Sequence, residues 1–218
     1  MIDVVKELER VHRELRTGRI PAGEGLAVVL RRVYDAEVQD VWDACTDPER
    51  LRRWFLPVTG DLRPGGDYQL QGNAGGKILR CEPPRLLTLS WVFGENPTES
   101  DVSEVEVRLA ADPGGGTTFE LVHTAVPDPE FWGKYGPGAV GVGWDLALLG
   151  LGGYLRGESF EEDTFSGSAE GREFARGSAR GWGDAHRVSG ADADQVAAAV
   201  RETTAFYAPE PGAGPAAG

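Results

Sequence analysis

Three side chains in this 218-residue chain have the types that proton-transfer chemistry needs, and positions that could bring them together: His123, Asp145 and Tyr68. A neutral imidazole can take a proton or bond a ligand carbonyl. An aspartate inside an apolar stretch, as Asp145 is between Trp144 and Leu146, can hold a raised pKa suited to the acid half of a pair. Each has a plainer use. His123 can be a core histidine bonded to backbone or to a carboxylate, and Asp145 can lie on a helix flank paired with an arginine such as Arg80. His12, His123 and His186 are scattered and no His/Cys spacing is ligand-like, so no metal is expected. Gly72–Gly76 followed by Lys77 invites a phosphate-loop reading. The P-loop spacing is not met, and Ile78 stands where Ser or Thr is required. Gly141-Val142-Gly143 opens no strand–turn–helix unit either, so no nucleotide cofactor is expected. There is no GxSxG elbow and no cysteine with a recognisable histidine partner, so Cys45 and Cys81 read as small core residues. Arg31, Arg32, Arg50, Arg52 and Arg53 cluster in sequence, as an anion or partner site or as a solvated face pairing with nearby Asp and Glu.

The elements that must position these groups follow from periodicity. Ile2, Val5, Leu8, Val11 and Leu15 form a helical stripe, which predicts a helix over 2–16 stopped by Thr17-Gly18. Leu26–Tyr34 reads as a first strand. Two short helices follow, from about Glu37 to Cys45 and from Thr46-Asp47-Pro48-Glu49, with either Thr46 or Asp47 as the second N-cap. Then come alternating runs: Tyr68 and Leu70; Lys77 to Glu82; Leu87, Leu89, Trp91 and Phe93; Val105, Val107 and Leu109; Phe119, Leu121 and His123. Turns rich in Gly, Asn, Asp and Pro separate several of them. A loop rich in Pro and aromatics leads to a long helix over about Ala139–Leu155, with Trp144, Leu148, Leu151 and Leu155 on one stripe. Residues 168–186 and 192–207 read as two further amphipathic helices, carrying Phe174, Trp182, Ala185 and Val188, then Val196, Val200, Phe206 and Tyr207.

Composition bounds the rest. The net charge is −13 with no strongly basic segment, which disfavours nucleic acid and anionic membranes as partners. The N-terminus lacks an apolar leader, and the apolar run Gly138–Leu155 carries Asp145 and many glycines. The expectation is therefore a cytoplasmic protein with no membrane span. Glycine is abundant, at 31 residues, and concentrates in the turns and in the long helix. Turn glycines fit hairpins and sheet curvature; helix glycines allow close approach or leave space.

The segment YDAEVQDVWDACTDPERLRRWF (Tyr34–Phe55) resembles the opening of START-like (SRPBCC) domains, most closely the Aha-type branch related to the activator of the heat-shock chaperone ATPase. GGDYQLQG (Gly65–Gly72), GGKILRCEPPRLLTLSW (Gly75–Trp91), TTFELVHT (Thr117–Thr124) and GVGWDLALLGL (Gly141–Leu151) continue it in order. The resemblance implies an α+β helix-grip fold, a curved antiparallel sheet wrapped around a long C-terminal helix with a cavity between. Its relatives bind lipids, sterols or polyketides, a few are cyclases or aromatases, and some are co-chaperones. The expected organisation is an N-terminal helix (1–20), the START-like domain (21–157), a C-terminal helical extension (158–208) and a disordered tail (209–218).

Within that fold the inward aromatics Trp54, Phe55, Tyr68, Trp91, Phe93 and Trp144, with Leu70, Phe119, His123, Leu148 and Leu151, are the expected cavity lining. The function read from them is non-enzymatic binding of a small hydrophobic, lipid-like, aromatic or polyketide-like molecule in an internal cavity. The alternatives are a cyclase or aromatase, needing His123 with Asp145 or Tyr68 as its acid–base pair, and a co-chaperone-like module acting through its outer surface. The appended helices must cover their apolar faces on the outer sheet face, on the first helix or in a homodimer, or form a lid over the cavity mouth.

Overall fold

The computed structural model describes residues 2–94, 102–160 and 162–209. Its frame is one eight-stranded antiparallel sheet in the order β1-β2-β8-β7-β6-β5-β4-β3. The strands are β1 (His12–Ile20), β2 (Gly23–Tyr34), β3 (Val58–Gly60), β4 (Asp67–Leu70), β5 (Gly75–Glu82), β6 (Leu86–Val92), β7 (Val102–Ala111) and β8 (Thr117–Ala125). Short helices α2 (Val38–Thr46) and α3 (Pro48–Leu51) bridge β2 to β3, and Asp47, not Thr46, caps α3 with Pro48 in the first turn. The long helix α5 (Gly138–Leu155) lies in the grip of the sheet. Its register is fixed by Tyr34 Oη and Arg32 Nη1, both donating to the Leu148 carbonyl. This is the helix-grip architecture. By length and composition α5 could cross a membrane, but 67% of it is buried inside this fold.

The strand alternation decides which groups face α5. On the convex face a ladder of charges crosses the central strands. Arg31 and Arg108 both meet Glu120, Arg16 bonds Glu14, and Arg108 also pairs with Glu106. The concave face carries the apolar members of the same strands, including Leu30, Val105, Leu109, Phe119 and Leu121, all buried. Opposite-charge pairs outside and aliphatic packing inside fix which face of the sheet is which.

The N-terminal helix expected over 1–20 is a correction. Helix α1 spans only Val4–Glu9, and His12–Ile20 is the edge strand β1, hairpinned onto β2 with Ile20 opposite Gly23. The stripe continued through Val11 and Leu15 because those residues also fit period 2. The strand signal was hidden by Arg13, a charge at an inward position. The Pro- and aromatic-rich loop holds a short helix α4 (Pro129–Tyr135), capped by Asp128. The C-terminal extension holds α6 (Glu162–Ser166), α7 (Ala169–Val188) and α8 (Ala193–Tyr207). From residue 210 on, the expected tail lies outside the described residues.

The extension packs on α5, α1 and β1 rather than on the outer sheet face. Gly141 makes this possible: a Cβ there would lie 2.2 Å from the Trp182 ring, so only glycine lets α7 approach α5 this closely. Phe174 and Trp182 are buried, as their stripe requires, whereas Val188 and Phe206 are exposed and take no part in that packing.

Candidate functional site: an aromatic-floored cleft

Two of the spaces against the concave face share an aromatic wall. The inner cavity, of about 160 Å³, sits between α5 and β4–β8 and is lined by Tyr68, Leu70, Phe119 and Leu148 among others. The outer space is an open cleft of about 1020 Å³ at the N-terminal half of α5. Trp54, Phe55, Trp91 and Trp144 line both, so they form a wall that is the roof of one and the floor of the other. Their rings are in mutual contact, Trp91 to Trp144 at 5.1 Å, Phe55 to Trp144 at 6.4 Å and Trp54 to Phe55 at 5.4 Å between centroids. Those spacings are typical of aromatic packing. Ligand sites usually measure roughly 300–1,000 Å³, which the cleft satisfies and the inner cavity does not.

Residue by residue, Trp54, Phe55, Trp91, Trp144 and His123 border the cleft, while Tyr68, Leu70, Phe119 and Leu148 border only the inner cavity. Phe93 is a correction. Strand β6 ends at Val92, the alternation ends with it, and Phe93 lies 67% exposed on the rim of the cleft instead of facing inward. Leu151 is a second correction, since it is fully buried in the core and borders neither space. Alternation could not foresee the further cleft lining by Phe131, Phe160 and Tyr207, which come from α4 and the extension.

His123 is held in a directional chain. Sheet register places Trp91 opposite Ser103 and His123 opposite Val105, so Ser103 and His123 are diagonal neighbours on one face. The Trp144 indole N–H donates to His123 Nδ1 at 3.0 Å. An indole can only donate, so Nδ1 must be the bare nitrogen and Nε2 carries the proton. Nε2 lies 2.8 Å from Ser103 Oγ and donates to it, and Ser103 Oγ donates onward to the Trp91 carbonyl at 2.8 Å. Burial lowers the His123 pKa from 6.5 to about 4. The imidazole is therefore neutral near pH 7, and its one lone pair is occupied. It cannot accept a substrate proton without breaking the chain.

Asp145 is one residue further on α5 but points elsewhere. It is 1% exposed and borders neither space. Arg13 Nε and Nη2 donate to its two oxygens at 2.9 and 3.1 Å, and Ser178 Oγ and Trp182 Nε1 also donate to it. Its partner is thus Arg13 of β1, not Arg80, which pairs with Glu82. Tyr68 donates its hydroxyl to the Ser90 carbonyl at 2.9 Å, and burial raises its pKa. The three groups that could have formed an acid–base set therefore bond to separate partners and not to one another. Cys45 and Cys81 border the inner cavity, and burial pushes both thiols up, Cys45 to about 12.

The arginine cluster separates into individual roles. Arg31 joins the outer ladder, and Arg32 forms a buried pair with Glu7 that anchors α1. Arg50 meets Asp40 and the Tyr154 hydroxyl. Arg52 bonds Glu49 through Nε and Nη2. Arg53 is exposed on the cleft lip, and its guanidinium makes no ion pair or hydrogen bond among the described residues.

Comparisons with known proteins agree with this architecture. The crystal structure of CalU16 from Micromonospora echinospora is similar at 41% identity and TM-score 0.66, over 81% of this chain and 98% of that one. Its solution structure gives 40% identity and the same TM-score, over 83% and 97%. DynU16, from the dynemicin biosynthetic locus, shares the fold at 22% identity and TM-score 0.51, over 61% of this chain and 48% of that one. No curated protein matches. The family described as activator of Hsp90 ATPase homolog 1-like protein matches residues 35–156, from the turn after β2 to the C-cap of α5. That span is more than half of the sequence and includes the whole aromatic floor, and the chain belongs to this family.

Proposed function

We propose that the protein binds a small hydrophobic molecule carrying an aromatic or similarly flat apolar body, and holds it in the outer cleft without transforming it. The observation that supports this reading most directly is the floor of Trp54, Phe55, Trp91 and Trp144 beneath an open space of about 1020 Å³. Flat apolar groups gain dispersion and burial on such a floor, which already has its rings in place. The His123–Ser103 chain keeps Trp91 and Trp144 oriented and occupies the polar atoms that would otherwise call for water. The similarity to CalU16 over nearly all of that chain is compatible with this reading and names no ligand.

The test uses a neutral probe, N-phenyl-1-naphthylamine, whose fluorescence rises in apolar sites. Trp91→Ala, which removes a large part of the floor, is expected to weaken probe binding about tenfold. Leu89→Phe, which fills the inner cavity, is expected to leave binding within about twofold. Loss of binding in Leu89→Phe with retention in Trp91→Ala would move the ligand into the inner cavity and overturn the proposal.

A further inference from the structure

The cleft is apolar at its floor, but its polar groups are unequally available. On the floor the Trp144 indole N–H, both His123 nitrogens and the Ser103 hydroxyl proton are bonded to one another and to the Trp91 carbonyl. The Trp54 indole N–H is turned to the Ala44 carbonyl, and Tyr207 donates to the Ala139 carbonyl. A ligand on the floor therefore meets ring faces and no free hydrogen-bond donor from these groups. Two cations stand on the lip at the end of α3. Arg52 is held by Glu49, whereas the Arg53 guanidinium is unengaged among the described residues. Among the described residues, the carboxylates bordering the cleft are Asp128, at the start of α4, and Glu162 of α6. In a chain of net charge −13, most positions on the surface repel an anion, so a free cation beside an apolar floor is selective.

From this distribution we infer that the ligand is an amphipathic anion, an aromatic body on the floor with a carboxylate or similar acidic group at the α3 lip, and that Arg53 determines this specificity. The inference rests on the cleft being the binding site. It adds the ligand's charge and the end at which that charge sits. Arg53 offers a planar fork of donors that matches a carboxylate. Its exposure makes the effect moderate and salt-sensitive.

The experiment compares 2-naphthoic acid with 2-naphthamide, which share a ring and differ in charge, by calorimetric titration at low salt and neutral pH. The native chain is expected to bind the acid about fivefold more tightly than the amide, in line with one favourable exposed charge pair. At about 0.5 M salt the preference is expected to fall below about twofold. Arg53→Gln is expected to bind both ligands equally, and Arg53→Lys to keep part of the preference. Equal binding of acid and amide by the native chain overturns the inference and leaves the cleft reading standing. So does an acid preference that survives in Arg53→Gln. Failure of both ligands to bind at millimolar concentration overturns the cleft reading itself, and the inference with it.

Discussion

Consecutive residues of α5 hold two polar networks of opposite character. Trp144 faces the cleft and belongs to a neutral chain, indole to imidazole to hydroxyl to carbonyl. Asp145 faces the appended layer and belongs to a buried ion pair with Arg13, reinforced by Ser178 and Trp182. About 100° of helix rotation separates the two directions. The neutral chain can border an open apolar site at small electrostatic cost. The charged pair requires enclosure, and the extension encloses it. The difference assigns separate tasks: Trp144 and its partners shape a binding surface, and Asp145 fastens α7 and β1 to the core.

Removing Asp145 should have the largest effect. Asp145→Ala leaves Arg13 without its counter-charge and strands two buried donors, so it is expected to cost about 3–5 kcal/mol in urea denaturation. Replacing both partners, Arg13→Met with Asp145→Leu, should cost less than Asp145→Ala alone, because no uncompensated charge remains. Naphthylamine binding by the double variant should match the native chain. A binding defect there would show that the two networks are not separate.

Acid is the second lever, and it acts on the cleft side. The folded His123 pKa is depressed to about 4 against 6.5 for an ordinary histidine. The unfolded chain therefore binds this proton first. The stabilising contribution is full above pH 6.5, is lost progressively as pH falls toward 4, and changes no further below that. The loss is about 3 kcal/mol over that window, as an order of magnitude. Subtracting the stability profile of His123→Gln from the native one isolates it, since His186 also has a lowered pKa from burial and contributes in the same direction to both. A flat difference profile would remove the neutral chain from the comparison.

Gly141→Ala probes the packing that brings the Asp145 side together. The added methyl would fall 2.2 Å from Trp182, so α7 must shift. A cost of about 1–3 kcal/mol is expected, with the loss read in thermal unfolding. The near-native affinity expected for the cleft probe would confirm that the strain stays on the outer side of α5.

The sequence made one side of this comparison more legible than the other. Alternation through Leu87, Leu89 and Trp91 and through Phe119, Leu121 and His123 places the inward face correctly, and with it most of the floor. The alternation fails at Phe93 because the strand ends one residue before it. Periodicity reports which face a residue occupies, but not which neighbour it meets. The Ser103–His123 contact depends on strand register, and the Trp144 contact on the rotation of α5 against the sheet. The Asp145 partner lies 132 residues away, at the position whose charge disguised β1 as helix. The glycines of α5 are readable as small, but not by use: Gly141 against Trp182 and Gly138 against Thr203 serve close approach by α7 and α8, while Gly150 faces Phe160 and the Trp54 carbonyl.

The smallest expected effect separates a positioning His123 from a chemical one. A glutamine at this site can accept the Trp144 N–H through its carboxamide oxygen and donate to Ser103 through its amide, so it reproduces both bonds without a titratable group. His123→Gln is expected to cost no more than about 1 kcal/mol and to bind the neutral naphthylamine probe within about twofold of the native chain. His123→Leu keeps the bulk but leaves the Trp144 donor unpaired beside an apolar floor. It should cost about 1–3 kcal/mol and weaken the probe, because Trp144 then turns toward other acceptors. Rescue by Gln and not by Leu identifies the two hydrogen bonds as the contribution of His123. If Gln behaves like Leu, the imidazole contributes something a carboxamide cannot supply, and the cleft would have to be reconsidered as a site that moves protons.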